Sequence, residues 1–132
     1  MNKKYMAQII ATDNEGLHMI SAYTAGSKIK VADIKYLQLN KVFLMSIERT
    51  KIETNQENKN INSICRFDFI EKVRSKNIDQ SNQEMILELI GIDYLKNNDD
   101  YEINLIFNNN AYIALTSETI EVRLEDQNEI NE

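Results

Sequence analysis

From Lys28 onward the chain alternates apolar and polar residues one by one, and that period confines it to a fold built mainly from antiparallel β-strands. Successive side chains of a strand point to opposite faces, so alternation gives each strand one core face and one solvent face. Lys28-Ile29-Lys30-Val31 alternates, and Ile34-Lys35-Tyr36-Leu37 follows after a break at Ala32-Asp33. From Val42 to Ile52, Phe43, Met45 and Ile47 share a face. Cys65, Phe67, Phe69 and Val73 share the core face of the next run, opposed by Arg66, Asp68, Lys72, Arg74 and Lys76. Adjacent Phe69 and Ile70, with Glu71 on the core side, predict a β-bulge.

Met85 to Leu95 is apolar on both faces, the pattern of a central strand. The turn Asn97-Asn98-Asp99-Asp100 leads into Tyr101, Ile103, Leu105 and Phe107, and Asn108-Asn109-Asn110 turns into Tyr112 to Leu115. Ile120 to Glu125 reads as a last strand, with a short helix as the alternative. The stretches Thr54 to Ser63 and Asp79 to Glu84 read as loops, and residues 127–132 as a frayed tail.

One segment carries a helical signature. Thr12-Asp13-Asn14-Glu15 has the spacing of a capping box, Leu17 and Ile20 recur at helical spacing, and Gly26 stands where a helix stops. The spacing predicts a helix from Asp13 to Ala25, preceded by a strand from Tyr5 to Ala11. The fold class is therefore α+β, mainly antiparallel: about seven strands in one curved sheet or two packed sheets, with an N-terminal helix over an open side. A pleckstrin-homology-like half-barrel fits that strand count. No linker divides residues 1–132, which read as a single domain.

Charge narrows the partners. A net charge of −6 repels a phosphate backbone and argues against nucleic acid. Residues 28–76 hold 11 of the 15 basic residues and only 6 of the 21 acids, whereas residues 118–132 hold six acids against Arg123. No apolar run reaches the length of a membrane span. A single cysteine, Cys65, forms no internal disulfide and suits a reducing cytoplasm, and the Asn, Ile and Lys bias suits a bacterial genome.

The search for chemistry excludes several classes. His18 is the only histidine, so neither a catalytic triad nor a His-rich metal site has its residues. The three glycines are scattered, which removes a phosphate-binding loop and a dinucleotide turn. No catalytic residue, cofactor or metal ligand emerges. The candidate site is instead a basic ladder of Arg66, Lys72, Arg74 and Lys76 on one outward face, suited to an acidic protein partner or a second copy of the chain. The reading is a non-enzymatic cytoplasmic binding or adaptor protein. The alternative is a small hydrolase or isomerase with a carboxylate pair brought together in a pocket.

Four segments also occur in a familiar order: Leu17 to Ala22, Val31 to Leu37, Arg66-Phe67-Asp68-Phe69 leading to Val73, and Ile120 to Asp126. Together they resemble an alphaproteobacterial family catalogued as a domain of unknown function, number 2948, over roughly Ile9 to Asp126. Ser46 to Thr50 stands where that family carries an Asn-Arg-Phe-Asp-Trp-like run, and Arg66 alone stands where it carries consecutive arginines. The resemblance implies a bacterial cytosolic protein and brings no activity, cofactor or catalytic residue with it.

Overall fold

Alternation organises the computed structural model, which describes residues 7–50 and 60–129. Within them run β1 (Gln8–Ala11), α1 (Asn14–Thr24), β2 (Lys28–Lys30), β3 (Ile34–Leu37), β4 (Val42–Thr50), β5 (Asn60–Phe67), β6 (Ile70–Lys76), β7 (Ile86–Lys96), β8 (Tyr101–Phe107), β9 (Tyr112–Ser117) and β10 (Val122–Glu129). All pairings are antiparallel, in the order β1-β10-β5-β4-β2-β7-β8-β9-β6, with β3 branching from β4. The described residues thus hold ten strands, not about seven.

The expected break at Ala32-Asp33 is a 3-10 turn, Val31–Asp33, that separates β2 from β3. One corner accounts for part of the difference in strand number. The run from Cys65 to Lys76, read as one strand, bends at Asp68-Phe69 into β5 and β6. Phe69 adopts φ 61° there, so its ring leaves the core and is 44% exposed, against the expectation that it points inward. The expected bulge lies just beyond, where the β6–β9 register slips between Ile70 and Lys72.

The sheet bends at the short strand β2 and does not close. Inward side chains of both halves join one core, with Phe43, Met45 and Phe67 from one side and Leu89, Leu105 and Leu115 from the other. The phenol of Tyr36 on β3 donates to the Ile70 carbonyl at 2.8 Å, tying the two ends of the bend. Cys65 is fully buried among these residues, as expected, and burial pushes its thiol up to about 12.

Helix α1 covers β7 and β1, burying Leu17 and Ile20, each worth about 1.5–3 kcal/mol. Its cap is Asp13, not Thr12: the Asp13 carboxylate accepts from the Gly16 amide at 2.8 Å. Gly16 lies so close to β1 that a Cβ would meet the Ala11 Cα at 2.9 Å. Gly26 ends the helix at φ 85°. The last element is a strand, and β10 runs on to Glu129, so Gln127 to Glu129 belong to the sheet instead of a frayed tail. Asn60 to Ser63 likewise belong to β5 instead of a loop, while residues 54–59 of that expected loop, Lys51 and Ile52 of the expected Val42 to Ile52 run, and Tyr5 and Met6 of the expected first strand lie outside the described residues.

Candidate functional site

The basic residues separate at the Asp68-Phe69 corner. Arg66 ends up on β5, between β10 and β4, where its guanidinium bonds the Asp68 carboxylate at 3.0 Å. Lys72, Arg74 and Lys76 point outward from β6, the edge strand beside β9. The ladder is therefore three residues long, with Arg66 in the other half of the sheet. Nor does the acidic final segment fold onto it, because β10 pairs with β1 and β5.

Register builds the outer face around those three residues. Across β6, β9, β8 and β7 the outward rows read Lys72-Thr116-Glu102-Leu95 and Arg74-Ala114-Asn104-Asp93. The third row is Lys76-Tyr112-Ile106, ending at the β7 bulge beside Ile90. The methyl of Ala114 leaves a gap, and the Arg74 guanidinium reaches over it to pair with Glu102 two strands away. Among the described residues Lys72, Lys76 and Asp93 have no ion-pair partner within 4 Å.

Around Ala114 the face sinks into a depression of about 680 Å³ that opens broadly to solvent. Arg74, Asp93, Glu102 and Asn104 line its polar part, with Ile90, Ile106 and Tyr112 on its apolar part. β7 is central, but its outer side is not covered as its sequence suggested: Ile90 is 57% and Leu95 59% exposed, beside Ile106 and Tyr112 at 37% each. The face is amphiphilic, basic along β6 and acidic along β7, where Glu88 and Asp93 project outward.

A second polar constellation lies inside the fold. Arg49 of β4, Ser63 of β5 and Asp126 of β10 occupy inward positions, and the side chains of Arg49 and Asp126 have no accessible surface. The guanidinium donates from Nε at 2.9 Å and from Nη2 at 2.7 Å to the two carboxylate oxygens. The Ser63 hydroxyl and the Ala7 amide each donate to the same carboxylate at 2.6 Å, and the Tyr23 ring lies 5.6 Å beneath the guanidinium carbon. Burial pushes the Asp126 carboxyl up, but the hydrogen bonds from Arg49, Ser63 and Ala7 outweigh it and hold the group below the usual aspartate range. The signal for this cluster was available: Arg49 continues the inward series Phe43, Met45, Ile47, and Asp126 continues Val122, Leu124.

A cavity of about 340 Å³ lies between β3, β6 and the 78–83 segment, lined by uncharged residues that include Ile34, Tyr36, Val73, Ser75 and Gln83. At the start of β6, Lys41 bridges Glu71 at 2.9 Å and Glu118 at 3.7 Å. Glu71 pushes Glu118 above the ordinary range, while Glu118 and Lys41 hold Glu71 below it. Among the described residues no group of three or more His, Cys, Asp or Glu is placed to hold a metal ion, and no helix is long and apolar enough to cross a membrane.

A family model described as a protein of unknown function, DUF2948, matches residues 7–132. No curated protein and no solved structure matches the chain. The matched residues include every strand, the helix, the buried Arg49–Asp126 pair and the whole outer face, so the chain belongs to the DUF2948 family.

Proposed function

We propose that the protein is a non-enzymatic binding module whose contact surface is the outer face of β6 to β9. The observation that carries this reading is the cluster of large apolar side chains, Ile90, Ile106 and Tyr112, left exposed side by side on strands whose other side is core. Contiguous exposed apolar area bordered by charge marks an interaction surface more often than scattered apolar residues do. Lys72, Arg74 and Lys76 supply the basic border, with Arg66 outside it on the neighbouring half of the sheet. A cytoplasmic, bacterial setting is supported by the buried lone thiol and by the Asn, Ile and Lys bias.

Ile106→Asp with Tyr112→Ala tests this reading. The double variant keeps its thermal midpoint and loses binding to native partners about tenfold or more, the effect of removing central anchors. Retention of every partner at wild-type strength would sink the proposal. The hydrolase or isomerase alternative has one observation in its favour, because Asp93 and Glu102 line the same depression. Turnover of generic ester or phosphoester substrates by the wild type, lost in Asp93→Asn, would favour it over the binding reading.

A further inference from the structure

The charges of the outer face are laid out so that the face complements itself. Its basic column, Lys72, Arg74 and Lys76, runs along β6, and its acidic column, Glu88 and Asp93, runs along β7 three strands away. A two-fold axis parallel to the strands, placed between β9 and β8, turns one copy over so that its β6 lies above the partner's β7. Arg74 of each copy then stands over Asp93 of the other, and the pairing is made twice because a two-fold operation repeats each contact. The same operation sets Tyr112 of one copy over Ile106 of the other, Lys72 over Leu95 and Lys76 over the β7 bulge beside Ile90. A partner of uniform charge satisfies only one of Arg74 and Asp93.

We propose that a second copy of this chain is the partner, packed face to face through β6 to β9 in an aligned sheet-on-sheet dimer. The proposal rests on the surface reading above and specifies its occupant. Four strands spaced about 4.8 Å apart, with three outward rows, make a patch smaller than a standard interface. The expected dissociation constant is therefore on the order of 10 µM, weakening severalfold or more as salt rises and screens the columns.

Charge exchange tests the geometry. One variant carries Arg74→Glu; the other carries Asp93→Lys. Both positions are exposed. Sedimentation should show a wild-type dimer at about 100 µM, tenfold above the expected dissociation constant. Each variant alone, with an unchanged circular-dichroism spectrum, should be monomeric. Their equimolar mixture should recover a heterodimer, because both contacts are complementary again.

A monomeric wild type at that concentration, or a mixture that stays monomeric while the wild type dimerises, overturns the dimer. Capture with Ile106→Asp and Tyr112→Ala separates this failure from failure of the surface itself. If that variant loses native partners while the wild type is monomeric, the face binds something other than itself. If it keeps them, the surface reading falls too.

Discussion

Asp126 is a carboxylate without accessible side-chain surface, held by four donated hydrogen bonds that converge from β4, β5 and the residue before β1. Removing one member of such a pair leaves its partner charged and buried, which costs about 3–5 kcal/mol. Asp126→Ala and Arg49→Met should each lower unfolding free energy by that amount in urea titrations. The double variant Arg49→Met, Asp126→Leu should cost less than either, about 1–3 kcal/mol, because no charge is then left buried and only the Ala7 amide and the Ser63 hydroxyl lose their acceptor. The lowered Asp126 pKa fixes the sign of the acid response. The pair's full contribution is present above the unfolded aspartate value of about 3.9 and is lost as pH falls through the lower folded value. Stability of the wild type minus that of the double variant should therefore hold steady down to about pH 4 and shrink below it.

The same alternation that predicts the strands also contains this cluster. A polar residue at an inward position of an alternating series has either a partner or a penalty. Arg49 and Asp126 both stood at such positions, but which residues share a level of the core depends on strand order. Periodicity carries no information about strand order.

At the scale of elements, α1 was the most legible because its start and stop are local chemistry. The error was one residue: Thr12 precedes Asp13, both are cap formers, and only the backbone decides which one turns toward the Gly16 amide. Asp13→Ala should cost about 1 kcal/mol, while Thr12→Ala should cost a few tenths at most. Gly26→Ala should cost about 1 kcal/mol through its positive φ, although space for the methyl is open. Chemical denaturation of the three variants checks all of these values.

Strands were legible where alternation was uninterrupted between two turns, as in β8, which covers the expected Tyr101 to Phe107. They were misjudged where a corner preserved the alternation. The Asp68-Phe69 corner is invisible to a period of two, because Phe69 in the left-handed region resembles a core residue in sequence and only its neighbour Ile70 enters the core. That one corner moved Arg66 away from the other three basic residues. β7 was misjudged for the opposite reason: apolar residues on both faces signal burial in a parallel sheet, but here the outer set remains exposed.

For the whole molecule, the number of strands could be approached from sequence, but their order could not. β1 lies beside β10, so that Ala7 and Asp126, 119 residues apart, exchange backbone and side-chain hydrogen bonds. β5 and β4 follow next, and the sheet reaches β7 only through the three residues of β2. Such an arrangement satisfies the inward residues of both halves with one core, and it ties the halves together with one short strand, a helix, the Tyr36 phenol and the contacts of Lys41 with Ile70, Glu71 and Glu118.

The adjacency of β1 and β10 also sets the tempo at which the protein forms. Neither the β1–β10 nor the β10–β5 pairing is local along the chain, so loop-closure entropy must be overcome before those pairings return any free energy. The hairpin from β7 through β9 can assemble within its own thirty or so residues on a timescale of microseconds, whereas β1 waits for residue 126. The chain contains no proline, so refolding lacks the phase of tens of seconds that prolyl isomerisation imposes. Stopped-flow refolding should therefore show a millisecond-to-second phase that reports topology alone, with Asp126→Ala slowing it only if the latch has formed by the transition state. Until that latch forms, the Arg49 guanidinium remains in water, and the half-made sheet keeps its β10 edge open to any strand that arrives first.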